Sequence, residues 1–262
     1  MQFFPPHKIY VEPFGGAAGV LLQKPRSYSE VYNDLDDGIV NLMRVMRDRE
    51  QRDQLLEILV LTPYSRTEFL LAYEPTDDPA ESARRTIIRA QMGFGSAGAT
   101  KGATGFRSDA NRDYGTAAHL WAQYPDCLAS IGQRLAGVMI ENRPAVDLIR
   151  DQDSPETLFF VDPPYVMDTR VMRTSSRYYK HEMTDADHLE LINVLRSVRG
   201  MVVLSGYESD LYSSALSGWE QHTTNARISA GRGSAIRTEC VYLNPRCADE
   251  LHQNIDIFQE VV

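Results

Sequence analysis

The sequence predicts an α/β protein: a mainly parallel sheet, a terminal β-hairpin, and a mainly helical insert. Three observations predict it. Short apolar runs, each ending at polar, Gly or Pro residues, occur at Ile9-Tyr10-Val11, Glu30-Val31-Tyr32, Val138-Met139-Ile140, Leu158-Phe159-Phe160-Val161 and Met201-Val202-Val203-Leu204. Their length and their β-branched and aromatic content suit buried strands. Helical patterns lie between them, as parallel strands require. Residues 62–135 break the alternation and hold no convincing strand.

In chain order, the first helical pattern runs from Gly38 to Leu61. It places Ile39, Leu42, Met43, Met46, Leu55, Leu56 and Leu59 near one face, with Arg and Asp opposite. The stretch from 62 to 135 contains Gly93, Gly95, Gly98, Gly102 and Gly105 among Ser, Ala and Thr. A flexible loop inside a helical insert is the expected form. Thr184-Asp185-Ala186-Asp187 is a capping-type start for a helix carrying Leu189, Leu191, Ile192, Leu195 and Val198, which Gly200 should end. Trp219 to Thr224 and Thr238 to Leu243 form the expected hairpin. The domain reading is therefore 1–61 and 136–262 as two parts of one sheet domain, with 62–135 inserted between them. There is no internal repeat.

The chain has 262 residues, 43% hydrophobic and 24% charged, which suits a globular protein rather than a disordered one. Its net charge of -9 excludes a uniformly basic nucleic-acid coat but not local basic patches. Arg84, Arg85, Arg89, Lys101, Arg107 and Arg112 form one basic stretch. Arg170, Arg173, Arg177 and Lys180 form a second, and a third runs from Arg227 to Arg237. Taken singly, such runs are solvated faces; three around one site point to a polyanion. No apolar run approaches membrane-spanning length, and MQFFPPHK has neither the charged nor the apolar region of a signal peptide. Cys127, Cys240 and Cys247 have no metal-like spacing with His, so no metal site and a reducing, intracellular setting are expected, with Cys127 a small core residue.

Asp162-Pro163-Pro164-Tyr165 directly follows a strand candidate. Two prolines make a rigid turn that has no donors but keeps its carbonyl acceptors. A carboxylate, a fixed carbonyl and an aromatic face then meet at the carboxyl end of a parallel strand, where α/β sheets bind ligands. Asp162 and the Pro163 carbonyl can accept both hydrogens of an aromatic amine, while Tyr165 stacks on its ring. That favours a pyramidal nitrogen with its lone pair free to attack. The plain alternative is a proline-rich turn. Glu12-Pro13-Phe14-Gly15-Gly16-Ala17-Ala18-Gly19 also follows a strand candidate, and its small residues allow close backbone approach to a ligand. It lacks the Lys-Ser/Thr ending of a phosphate loop. Asn33-Asp34 ends the next strand candidate; Asp34 suits a ribose, or equally a helix cap.

Together these motifs resemble the Dam-like (alpha-group) DNA adenine-N6 methyltransferases, phage and prophage members in particular. The order is that group's: glycine-rich loop, acidic ribose binder, target-recognition insert, DPPY. The resemblance runs from about Pro5 to Pro245. It includes EVYNDLDDGIVNLMRVMRD at 30–48, IEN at 140–142, YYKHEMTDADHLEL at 178–191, VVLSGYESDLY at 202–212 and RTECVYLNP at 237–245.

The resemblance implies a Rossmann-like sheet dependent on S-adenosylmethionine and an enzyme that methylates the N6 amine of an adenine flipped out of double-stranded DNA. Glu12, Pro13, Phe14 and Gly15 would line the cofactor pocket, Asp34 would hold the ribose, and the stretch ending at Asn142 would meet the cofactor's adenine. Asp162 would stand between methyl donor and amine, and Asp162, Pro163, Pro164 and Tyr165 would form the catalytic set. Arg84, Arg85, Arg89, Lys101, Arg107, Arg112, Arg170, Arg173, Arg177 and Lys180 are the candidate DNA contacts. A bacterial or phage-infected cytoplasm, and a restriction endonuclease as candidate partner, go with the same resemblance.

Two departures modify it. The family's Trp/Phe-x-Gly-Gly-Lys segment is not found before Phe4-Pro5-Pro6-His7, which predicts weaker cofactor binding. The insert does not carry the aromatic and Asn/Pro pattern of GATC readers, so that target is not transferred. The competing readings are a DNA-binding relative with impaired catalysis and an amine methyltransferase acting on RNA or protein. The latter group generally has Asn at the position of Asp162.

Overall fold

The computed structural model describes residues 1–94, 104–108, 116–166, 180–230 and 233–259, with side chains except at 129, 225–230, 233–237 and 254–259. In chain order the elements are β1 (Ile9–Glu12), β2 (Ser29–Asn33), α1 (Asp37–Arg47), α2 (Arg49–Leu61), α3 (Arg66–Leu71), α4 (Pro79–Met92), α5 (Ala117–Leu135) and β3 (Val138–Glu141). Then come α6 (Ala145–Asp151), β4 (Thr157–Val161), α7 (Asp185–Ser197), β5 (Met201–Tyr207), α8 (Asp210–Ala215), β6 (Glu220–Ala230), β7 (Gly233–Leu243) and α9 (Pro245–Gln259). The chain divides into two compact units: Met1–Leu35 with Arg143–Ser176 and His181–Val262, and Asp36–Asn142 with Arg177–Lys180.

The first unit holds six of the sheet's seven strands, in the order β2-β1-β4-β5-β7-β6. The pairs β1–β2, β1–β4 and β4–β5 are parallel, and the terminal hairpin β6–β7 adds antiparallel to β5. All five apolar runs read from the sequence form strands, and the hairpin runs longer than expected. The register aligns Val31, Val11, Phe159 and Val202 across four strands. These side chains join Leu191, Ile192 and Leu195 of α7 in one buried cluster. Each such side chain stabilises the fold by roughly 1.5–3 kcal/mol on burial. α7 begins with a complete capping box between Thr184 and Asp187. It stops at Ser197, before Gly200, whose absent Cβ serves a different purpose: one there would lie 2.8 Å from the Thr157 carbonyl. The start of α9 is tied to β5 by buried Asn244, whose Oδ1 accepts from Val202 N–H at 2.9 Å and Cys247 N–H at 3.0 Å.

The second unit is helical apart from β3, among its described residues. The single helix expected over Gly38–Leu61 is two. Asp48 closes α1 with its N–H on the Arg44 carbonyl and opens α2 with its side chain on Gln51 N–H. An extended backbone at this one residue breaks the axis. α1 and α2 pack on α4 and α5, so this unit is wider than the 62–135 insert of the sequence reading. The Trp121 indole donates to the Thr62 carbonyl at 2.8 Å, which ties α5 to the end of α2. Cys127, expected in the core, is exposed on α5. Among the described residues no helix is long and apolar enough to cross a membrane.

Candidate active site

The order β2-β1-β4 places the topological switch between β1 and β4, because the chain turns to opposite sides from β1. Ligands bind at the carboxyl ends of the strands there. Glu12 ends β1, and Asp162 follows the last residue of β4. Both therefore stand at the same edge of the first unit.

The turn after β1 is built by three consecutive residues at the end of β2. The Tyr32 hydroxyl donates to the Gly16 carbonyl at 2.6 Å. The Asn33 carbonyl accepts Gly15 N–H at 2.8 Å. The Asp34 carboxylate accepts Gly16 N–H at 2.8 Å. Gly15 lies against the Tyr32 ring, where a Cβ would fall 2.1 Å from a ring carbon, so any larger residue forces a shift. Gly16 adopts the left-handed φ of 47°, and Ala18 does so at 56°. Pro13, Phe14 and Gly15 form this turn, and Phe14 packs against the buried cluster.

Glu12 is 2% exposed. Its Oε1 accepts Leu21 N–H at 3.2 Å, and its Oε2 is buried with no well-formed hydrogen bond among the described residues. Burial pushes its pKa up to about 7; the Leu21 and Tyr10 hydrogen bonds and the Lys24 charge oppose this, and the Asp162 charge adds to it. Lys24 is itself buried and spends its ammonium on Glu30 Oε1 at 2.7 Å, Ser27 Oγ at 2.8 Å and the Pro25 carbonyl at 2.6 Å.

The prolines end β4 because neither can donate to a ladder. β4 pairs with β5 as far as Val161 and Leu204, and β5 continues for Ser205, Gly206 and Tyr207 beside the DPPY turn. Asp162 is accessible to water yet closely surrounded by protein. Desolvation pushes its pKa up, hydrogen bonds to Tyr165 and Ser205 pull it back, and the like charge of Glu239 on β7 adds to the rise. The Tyr165 ring packs on Tyr207 with centroids 4.5 Å apart. On the opposite face, a Cβ at Gly206 would meet the Tyr212 ring at 3.1 Å. Tyr212 is 2% exposed, and its hydroxyl bonds to Nδ1 of fully buried His188 at 3.0 Å. The sequence reading gave Tyr32, Tyr212 and His188 no role, and singled out Asn33 only as the neighbour of Asp34. Their signal was a polar or aromatic residue within or next to an apolar run.

Asn142 follows β3 in the second unit. The three arginines of α4 are engaged inside that unit. Arg84 is 9% exposed and paired with Glu68 at 2.7 Å and Glu81 at 2.6 Å. Arg85 bonds Glu81 and the Glu74 and Pro75 carbonyls, and Arg89 bonds the Ala72 carbonyl and Thr86. The sequence reading expected Arg84, Arg85 and Arg89 at DNA; in the structure acids close in space or backbone carbonyls hold these guanidinium groups. Lys180 pairs with Asp36 at 2.9 Å and stays half exposed. The Arg107 backbone carbonyl accepts the Tyr64 hydroxyl. Lys101, Arg112, Arg170, Arg173 and Arg177 lie outside the described residues.

A glycine turn and a DPPY turn thus flank the switch point of a mainly parallel α/β sheet. A family model described as D12 class N6 adenine-specific DNA methyltransferase matches residues 2–229, and the chain belongs to that family. No curated protein matches. A solved SAM-dependent methyltransferase from Agrobacterium tumefaciens is similar at 11% identity and a TM-score of 0.39. The match covers 92% of this chain and 56% of that one, so the chain spans little more than half of that protein's length.

Proposed function

We propose that this protein transfers the methyl group of S-adenosylmethionine to the N6 amine of an adenine flipped out of double-stranded DNA. The observation that carries this reading is the pairing, across one switch point, of the glycine turn held by β2 with the DPPY turn held by β5. The residues fit the cofactor. Glu12 offers a buried, under-bonded carboxylate oxygen for a cationic group, and the turn at Gly15 is bare backbone. Asp34 holds the ribose, Phe14 flanks it, and Asn142 takes the adenine.

S-adenosylmethionine, when bound, supplies an electrophilic methyl on a sulfonium. The chain does the rest. Asp162 and the Pro163 carbonyl accept the two amine hydrogens, which localises the nitrogen lone pair. Tyr165 provides the stacking face for a base that cannot be reached inside the duplex. After transfer, Asp162 accepts the proton released by the nitrogen, so it must start ionised. The hydrogen bond from Ser205 favours that form against the desolvation that opposes it. No cysteine takes part.

DNA is held by phosphate contacts from Lys101, Arg107, Arg112, Arg170, Arg173, Arg177 and Lys180, with the second unit reading the target. Action in a bacterial or phage-infected cytoplasm, beside a restriction endonuclease, completes the proposal. Methylation-sensitive sequencing of DNA from cells expressing the protein tests it. Methylated adenines at one recurrent sequence are expected; unmodified DNA, with no cofactor binding by calorimetry, would overturn it.

A further inference from the structure

Asn33 ends β2 and is fully buried. A buried amide must find partners for two N–H groups and its oxygen. Nδ2 donates to the Pro13 carbonyl at 2.8 Å and to the Arg143 carbonyl at 3.0 Å. Oδ1 accepts Arg143 N–H at 3.0 Å. Both backbone polar groups of Arg143 are thus taken by one side-chain amide, as a neighbouring strand would take them. The Asn33 carbonyl holds Gly15 N–H at 2.8 Å. One residue therefore joins the turn after β1, the end of β2 and the chain entering α6.

These bonds reach into loops rather than along the strand ladder. Their loss would let the loops drift while the sheet stays paired. Only an amide serves here, because a carboxylate cannot donate to the two carbonyls and an apolar residue would strand three backbone groups. The segments it joins are those given to the cofactor above: Pro13 to Gly15, adjacent Asp34, and the residue after Asn142.

We propose that Asn33 is a positioning residue that sets the adenosine half of the cofactor site, without touching the cofactor, by clamping Pro13 and Arg143 to the end of β2. This rests on the proposed function. It assigns Asn33 an effect on cofactor affinity that is separate from DNA binding and from the transfer step.

The test is calorimetric titration of S-adenosylhomocysteine, and of adenosine alone, into wild type, Asn33→Asp and Asn33→Ala. KM and kcat are measured for S-adenosylmethionine and DNA, and melting temperature for the ligand-free proteins. Both variants should bind both ligands about tenfold more weakly, by the same factor for each. KM for S-adenosylmethionine should rise, while kcat and KM for DNA stay within about twofold. Should Asn33→Asp fail to fold, Asn33→Ser, which keeps one donor, carries the same expectation at smaller size. Wild-type affinity in a folded variant would overturn the inference and leave the functional reading standing, as would a fall in kcat with KM for S-adenosylmethionine unchanged. Absence of binding by the wild type would overturn both.

Discussion

Tyr165 and Tyr207 stand ring to ring, with centroids 4.5 Å apart and planes inclined at 58°. One lies in the DPPY turn and the other at the end of β5, so β5 backs the ring proposed to stack on the target base. Replacing Tyr207 with Leu should lower kcat roughly tenfold by loosening Tyr165, with KM for S-adenosylmethionine unchanged. The fluorescence of 2-aminopurine at the target position, which reports the flipped base, should fall in parallel. Unaltered fluorescence together with unaltered kcat would remove Tyr207 from this role.

Asp162→Ala should reduce methyl transfer by about a thousandfold or more while leaving DNA binding and the fold in place. Ser205→Ala tests the same carboxylate more gently. With one stabilising hydrogen bond gone, the acidic limb of the kcat profile should move to higher pH. A profile that stays in place would detach Ser205 from Asp162.

Glu12 predicts a pH dependence with a definite sign. Its pKa rises from 4.5 to about 7 on folding, so the folded state holds the extra proton between those values. The stability this contributes is complete below about 4.5 and is lost as pH rises through about 7. Glu12→Gln should therefore match the wild type in stability near the lower pH and exceed it above the higher one, by up to about 3 kcal/mol, as read from melting curves. Cofactor affinity should move the opposite way. The wild type should bind S-adenosylmethionine more tightly as Glu12 ionises, and the Gln variant should lose that dependence. Parallel melting curves across the range would contradict the burial argument.

Gly15→Ala forces a methyl to within 2.1 Å of the Tyr32 ring. Either the turn or the ring must move, at a cost of about 1–3 kcal/mol. Differential scanning calorimetry should show the loss of stability, and cofactor titration a weaker site. The double variant with Tyr32→Ala should lose less stability than the sum of the two single variants.

Arg84→Met tests whether that residue serves the helical unit or DNA. With Glu68 losing Arg84 and Glu81 keeping only Arg85, stability should fall by about 2 kcal/mol in urea denaturation. The salt dependence of DNA binding should keep the wild-type slope, because no phosphate contact is removed. A slope lowered by about one would return Arg84 to the DNA surface.

By itself the sequence determined what is local: which runs are strands, and that each key strand ends in a turn of glycines or prolines. Strand content, the capping box at Thr184 and the DPPY turn follow from residues a few positions apart. The break at Asp48 was missed because a cap on each side of one aspartate leaves the apolar spacing almost undisturbed. Only the tertiary structure brought Glu12 close enough to Asp162 for their charges to couple across the switch point. It alone set Asn33 against Arg143, 110 positions away, and placed Tyr212 and His188 behind β5. It also turned Arg84, Arg85 and Arg89 from a basic run into the cross-links of a helical unit. Charge counted along a chain says nothing of direction, whereas hydrogen bonds and ion pairs depend on which groups face each other after the sheet has set their positions.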